Sequence, residues 1–276
     1  MGAKNGSGKC RVRPAAVAGQ FYTGDPEKLR AEVSGYVGRA RVNVDTAPKA
    51  VIAPHAGYMY SGPIAGSAYA CLARGREVFK RVVLLGPSHF VALSGLAASS
   101  AEAFASPLGV VAVDEEALDR ARALPQVTTL DAAHRQEHSL EVQLPFLQTV
   151  LGEFELVPLV VGDASAEQVS EVLDALWGGP ETCIVISSDL SHYLPYHASL
   201  EADRATAEAI EALAWETLGG DQACGCRPIR GLLRSAKEHG LRGRTVDLRN
   251  SGDTAGRRDR VVGYGAFVFT AEPQPL

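Results

Sequence analysis

Three short runs, AVIAP (50–54), VVLLG (82–86) and CIVISS (183–188), are apolar at nearly every position and rich in β-branched and aliphatic residues. A strand with one face in water alternates apolar and polar residues. A strand without a polar face must be covered on both sides, as in a parallel sheet sandwiched between helices. LVPLVVG (156–162) and VVGYGAFVF (261–269) read as further strands. Pro158 has no N–H to give to a ladder, which places that end of its strand at an edge or a bulge.

Helical patterns lie between these runs. Asp25, Pro26 and Glu27 supply an N-cap, a proline suited to the first turn and an acid near the positive helix end. Ser165 and Gln168 form a capping box ahead of a face made of Val169, Val172, Leu173 and Leu176, and Gly178 stops that helix. Pro228 opens another, with Ile229, Leu232, Leu233 and Ala236 on one side and Gly240 after its end. Residues 93–113 read as an antiparallel hairpin excursion. No composition break divides the chain, so the expectation is one α/β domain with a central, mostly parallel or mixed sheet flanked by helices.

With 27 Lys and Arg against 32 Asp and Glu, the net charge is −5, which argues against nucleic acid as the main partner. The arginines at 242, 244, 257, 258 and 260 read as a solvated loop surface. No apolar run approaches the ~20 residues of a membrane span. The opening MGAKNGSGKC lacks a signal peptide's apolar stretch, and Gly6 breaks the myristoylation pattern. Residues 1–9 are therefore expected to be a flexible tail ahead of a single domain, 10–276. Five cysteines, odd in number and sparse, suit a reducing cytoplasm better than a disulfide scaffold.

In open α/β sheets the functional crevice lies beyond the carboxyl ends of the strands. His55 follows AVIAP, His89 follows VVLLGPS, and Asp189 with His192 follows CIVISS. A lone histidine after a strand is more often a hydrogen-bonded loop or core residue than a ligand. Three strand ends sending such groups to one edge point to a shared site, and imidazole is the commonest metal ligand. A third donor is available in ACGCRPI, where Cys224 and Cys226 precede the helix opened by Pro228. Its positive end is expected to favour thiolate. A turn holding two small buried residues is the alternative, and the pattern does not choose between the two sulfurs.

A rival motif is His134-Arg135-Gln136-Glu137-His138, the H-x-x-E-H zinc-hydrolase signature, which needs both histidines on one helix. There is no phosphate-binding G-x-x-x-x-G-K-[ST] loop, no G-x-S-x-G elbow and no dinucleotide fingerprint.

Seven collinear stretches, AGQFY (18–22), APHAGYMYSG (53–62), LLGPSH (84–89), EHSLEVQLPFL (137–147), SSDLSHY (187–193), CGCRPI (224–229) and NSGDTAGRRDRVVGYGAFVF (250–269), together resemble the Memo-like family, also called AmmeMemoRadiSam system protein B. The resemblance covers roughly residues 11–270. It implies a fold similar to class III extradiol dioxygenases, with metal ligands at His55, His89 and Cys224. It also implies a pocket lined by Asp189, His192, Glu137 and His138. Cys226 is a second thiol beside the implied ligand, able to compete for the metal or act as a redox partner.

The leading expectation is a metal-binding, redox-active, dioxygenase-like protein with a His–His–Cys site for ferrous iron or copper, zinc being less suited. His192 would be the catalytic acid or base, oriented by Asp189 or Glu137. A small molecule or peptide would occupy the pocket. The alternative is a non-catalytic binding module on the same fold, working beside a radical-SAM enzyme and an AMMECR1-like partner as the family's label implies. A Cys–His hydrolase using Cys224 and His192 is a further alternative.

Overall fold

The apolar runs at 50–54, 82–86 and 183–188 form strands in the interior of the protein. In the computed structural model, which describes residues 10–271, every side chain of Ala50–Ala53, of Val82–Leu85 and of Cys183–Ile186 is fully buried. The expected tail, 1–9, lies outside the described residues. In chain order the elements are β1 (Val12–Arg13), α1 (Pro26–Arg39), β2 (Ala50–Ala53), α2 (Tyr58–Leu72), β3 (Arg81–Pro87), β4 (Leu96–Ala98), β5 (Ala103–Ser106) and β6 (Gly109–Ala112). Then come α3 (Glu115–Arg122), β7 (Val127–Thr129), α4 (Asp131–Arg135), α5 (Leu144–Val150), β8 (Glu155–Val161), α6 (Ala166–Leu176) and β9 (Thr182–Ser187). The chain continues with β10 (His192–Leu194), α7 (Tyr196–Glu211), α8 (Cys226–Glu238), β11 (Leu241–Asn250) and β12 (Val261–Ala271). Together they form a single α/β domain.

The main sheet runs β10-β12-β2-β9-β3-β8-β4-β7, with β11 also on β12. Its centre, β2-β9-β3-β8, is parallel, while β12 pairs antiparallel with β2, β10 and β11, and β4 antiparallel with β8. The sheet is therefore mixed. The parallel centre matters most, because it points the carboxyl ends of β2, β3 and β9 the same way.

Two local expectations are corrected. The hairpin in 93–113 is confined to β5 and β6, which join β1 in a small separate sheet, whereas β4 belongs to the main sheet. Pro158 lies in an internal strand rather than an edge. The Leu156 carbonyl accepts from Asp114 and the Val161 carbonyl from Ser88, so the even-numbered residues of β8 face the β4 side. There β4 ends at Ala98, opposite Leu159, and the missing N–H of Pro158 interrupts no ladder.

Helix starts follow their caps. Asp25 accepts from the amides of Glu27 and Lys28 ahead of α1, and the Ser165–Gln168 capping box is complete on α6. Helix α8 begins two residues before Pro228, at Cys226, with Gly225 as its N-cap.

Candidate metal centre at the strand ends

Beyond the carboxyl ends of β2, β3 and β9 the chain places His55, His89 and Asp189. The segment between α4 and α5 brings His138 to the same point. The ring centroids are 5.2 Å apart for His55 and His89, 5.6 Å for His55 and His138, and 4.6 Å for the stacked pair His89 and His138. Each of these three histidines offers a ring nitrogen within 4.8 Å of the other two. Cys224 arrives from the loop before α8, its Sγ 3.3 Å from Nε2 of His55. A sulfur and a nitrogen bound to one ion at about 2.3 and 2.1 Å stand roughly 3–3.6 Å apart, so this pair fits a shared ion.

The hydrogen bonds around the rings fix which nitrogen is free. Ser187 has one hydroxyl proton, and the Ser139 carbonyl takes it at 2.5 Å. Gln143 donates its amide N–H to the same Ser187 oxygen at 2.7 Å, its own carbonyl accepting from Tyr69. His55 Nδ1, 2.8 Å from Ser187 Oγ, must then be the donor, leaving the lone pair on Nε2 toward Cys224. At His89 the partner is a carboxylate. Glu137 accepts from the His89 backbone N–H at 2.7 Å, from His89 Nδ1 at 2.8 Å and from the Ser139 amide at 2.9 Å. His89 too is left with its lone pair on Nε2. Histidine ligands held through the other nitrogen by a carboxylate or hydroxyl are the usual arrangement of metal sites.

Burial sets the charge state. Desolvation pushes the His55 pKa down to about 3 and that of His138 to about 4, and neighbouring imidazoles add to it in both cases. Neutral rings are what a cation requires of its ligands. Burial works against the Glu137 carboxylate, yet the hydrogen bonds it accepts from His89 and Ser139 outweigh it and bring the pKa down to about 2. Burial raises the Asp189 pKa. His138 Nδ1 is buried without a hydrogen-bond partner, since Glu137 Oε1 at 3.6 Å is too far.

The thiol departs from expectation. Cys224 precedes the N-cap of α8, and burial drives its pKa up to about 12, with the nearby Asp189 charge adding to the rise. Amide N–H groups of Asp189 and Gly225 pull the other way without winning. Thiolate character at this position therefore has to come from a bound cation, which deprotonates a coordinating thiol. Cys226 is buried in the apolar core in the first turn of α8 and is not part of the cluster.

The remaining expected site residues are also located. Asp189 Oδ1 accepts from the His55 backbone N–H at 2.7 Å. His192 Nδ1 donates to the Leu190 carbonyl at 2.8 Å, so neither Asp189 nor Glu137 is hydrogen-bonded to it. Both Asp189 and His192 line, with His138, a 730 Å³ cavity walled by Phe21, Tyr60 and Tyr264. That volume is within the range of small-molecule sites. A larger cavity of 1120 Å³ opens at the opposite, amino ends of the strands. Its buried-side lysine, Lys49, donates to the carbonyls of Trp177, Gly179 and Thr182 and has no role in the cluster.

The H-x-x-E-H reading fails on geometry. Helix α4 ends at Arg135, so His134 and His138 do not lie one turn apart on a helix. His134 bonds through Nε2 to the Ala97 carbonyl at 2.9 Å and packs on Phe104, outside the cluster of His55, His89 and His138. The same segment is fastened by Arg13. Its guanidinium donates to the His134 and Glu137 carbonyls and pairs with the fully buried Glu141 carboxylate. Ser187, Gln143 and Arg13 are the supporting residues the sequence did not single out. The one available signal was polar residues, Glu141 and Gln143, inside an otherwise apolar run.

The comparisons with known proteins give the family. The sequence model of the family described as Memo-like protein matches residues 13–268. This chain belongs to the Memo-like family. A MEMO1 family protein of Aquifex aeolicus (strain VF5) is 37% identical over 94% of this chain and 99% of its own length. Another from Archaeoglobus fulgidus is 36% identical, again over 94% of this chain and 99% of the relative. One from Saccharolobus islandicus (strain M.14.25 / Kamchatka #1) is 36% identical over 93% and 99%. His55, His89, His138 and Cys224 all fall inside the Memo-like match.

Proposed function

We propose that this protein is a metal-dependent, redox-active oxidoreductase of the dioxygenase type, with His55, His89 and Cys224 holding the ion and His138 within reach as a further ligand. The observation that carries this reading is the cluster of three imidazoles, with hydrogen bonds directing the lone pairs of His55 and His89 inward, and beside it the Cys224 sulfur 3.3 Å from Nε2 of His55. Two nitrogens and a thiolate make a soft donor set, suited to ferrous iron or copper rather than magnesium or calcium. Such an ion, when bound, would supply one-electron redox chemistry and a Lewis-acidic point for substrate.

The chain's own residues would do the rest. Ser187 and Glu137 hold the His55 and His89 rings in their tautomers. Phe21, Tyr60 and Tyr264 wall the 730 Å³ vestibule and displace water from a bound small molecule or peptide side chain. His192, with Nδ1 engaged by Leu190, keeps Nε2 available to take or return a substrate proton.

The test is metal content after purification without chelators. The wild type should carry iron or copper at up to one equivalent, and the His55→Ala/His89→Ala variant should lose it. Undiminished metal in that variant rejects the assignment. Oxygen uptake with catechol-like substrates then separates turnover from a binding module, which would bind such ligands without consuming oxygen.

A further inference from the structure

The residues of the cluster open into two different cavities. His138, Asp189 and His192 line the 730 Å³ vestibule. Cys224 instead lines a smaller cleft of 260 Å³, between the ends of β3 and β8, the 91–93 loop and the start of α8. On the order of nine waters, at ~30 Å³ each, would fill it. Its walls include Val91, Leu93, Val161 and Pro228. At the rim Arg227 pairs with Asp163 at 2.7 Å, both side chains well exposed.

We propose that this cleft is a second entrance to the centre, which admits small uncharged molecules to the Cys224 side while the vestibule receives the larger substrate at the histidine side. This rests on the metal-centre reading for its purpose, but the opening beside Cys224 stands on the cavity alone. Ser88 and Cys224 line the cleft beside these aliphatic side chains, and the facing guanidinium and carboxylate balance at the rim, so the cleft carries no net charge. An anion therefore gains nothing there, whereas a neutral molecule loses little on leaving water. The Arg227–Asp163 pair spans exposed positions, so breaking it is cheap and salt-dependent. It acts as a latch.

The experiment is alkylation of the metal-free protein at fixed pH, read peptide by peptide with the exposed Cys10 as internal reference. With iodoacetamide the sulfur bonds to the reagent's methylene carbon, iodide leaves with the C–I pair, and the thiol proton goes to solvent. Ala92 and Ala255 are both exposed, the first lining the cleft and the second the vestibule. Ala92→Trp should slow alkylation of Cys224 tenfold or more with Cys10 unchanged, and Ala255→Trp should leave it within twofold. Arg227→Ala should speed it several-fold at low salt and remove its salt dependence. Iodoacetate should discriminate against Cys224, relative to Cys10, in the wild type. If Ala255→Trp is the variant that slows Cys224, or if neither tryptophan does, the second entrance is overturned. Absence of bound metal in the wild type would refute the centre's assignment without touching this result.

Discussion

Replacing Glu137 by Gln changes one atom and should weaken His89 as a ligand. The carboxylate accepts three N–H groups, two on Oε1 (His89 Nδ1 and the Ser139 amide) and one on Oε2 (the His89 amide). An amide has only one accepting oxygen. If it occupies the Oε1 position, the NH2 group confronts the His89 backbone N–H. In the other orientation the NH2 faces both the Ser139 amide and Nδ1, and the ring escapes only by moving its proton to Nε2, where the metal should bind. Either way one or two buried donors are stranded, at about 1–3 kcal/mol each. Loss of such a supporting carboxylate typically weakens metal affinity 10–100-fold, which is about 1.4–2.8 kcal/mol. Chelator competition under anaerobic conditions measures the affinity, and nitrogen NMR of labelled histidine reads the tautomer. Affinity within twofold of wild type, with the His89 proton still on Nδ1, would refute the reasoning.

Three further outcomes follow from the same geometry. The metal-free protein should be acid-labile well above the carboxylate range. His55 and His138 have folded pKa values near 3 and 4 against an ordinary 6.5. The unfolded chain therefore binds protons that the folded chain refuses, and stability present above pH 6.5 is lost as the pH falls toward those values. At pH 5 the loss is about 2 kcal/mol for each ring, or about 4 kcal/mol together. An unchanged urea midpoint between pH 7.5 and 5 would contradict burial of two neutral rings. Gly225→Ala should weaken metal binding and cost about 1–3 kcal/mol of stability. The added methyl would stand 2.7 Å from Ser188 Cβ and Oγ and 2.9 Å from the Ser187 carbonyl, forcing the Cys224 loop off the strand end. Gly219→Ala, which meets only Gln222 at 3.8 Å, is the control that should change neither. Arg13→Ala should cost about 3–5 kcal/mol in denaturant unfolding, because it strands the buried Glu141 carboxylate. A change below 1 kcal/mol would show that the clamp on residues 134–141 is dispensable.

How much of this could be read from the chain depended on whether the signal was local. The strands of the parallel centre announced themselves because burial on both faces leaves consecutive apolar residues, and that in turn aimed His55, His89 and Asp189 at one edge. Helix α2 was not legible. It carries Gly62, Gly66 and an internal Pro63, all poor helix formers. The two glycines are there for packing, since a Cβ at either would meet Tyr36 at under 3 Å. Strand β11 was hidden for another reason, its charged sequence LRGRTVDLRN being only partly buried along one side of β12. At the site, the resemblance named His55, His89 and Cys224 together, and the structure brings Cys224 to His55 and the two histidines to each other. What no local pattern carried was the support: Ser187 ends β9, while Ser139 and Gln143 come from the segment ahead of α5, more than forty residues away. The raised thiol pKa escaped too, because helix position suggested the reverse and burial, which dominates, is a property of the fold.

A shared ion would join groups that lie far apart in sequence. Metal-edge X-ray absorption on protein loaded with ferrous iron or cuprous copper tests it most directly. One sulfur neighbour at about 2.3 Å is expected together with imidazole nitrogens at about 2.0–2.1 Å, with the sulfur signal lost in Cys224→Ser and retained in Cys226→Ser. A spectrum of light atoms only in the wild type, or a sulfur signal that disappears with Cys226 instead, would contradict it.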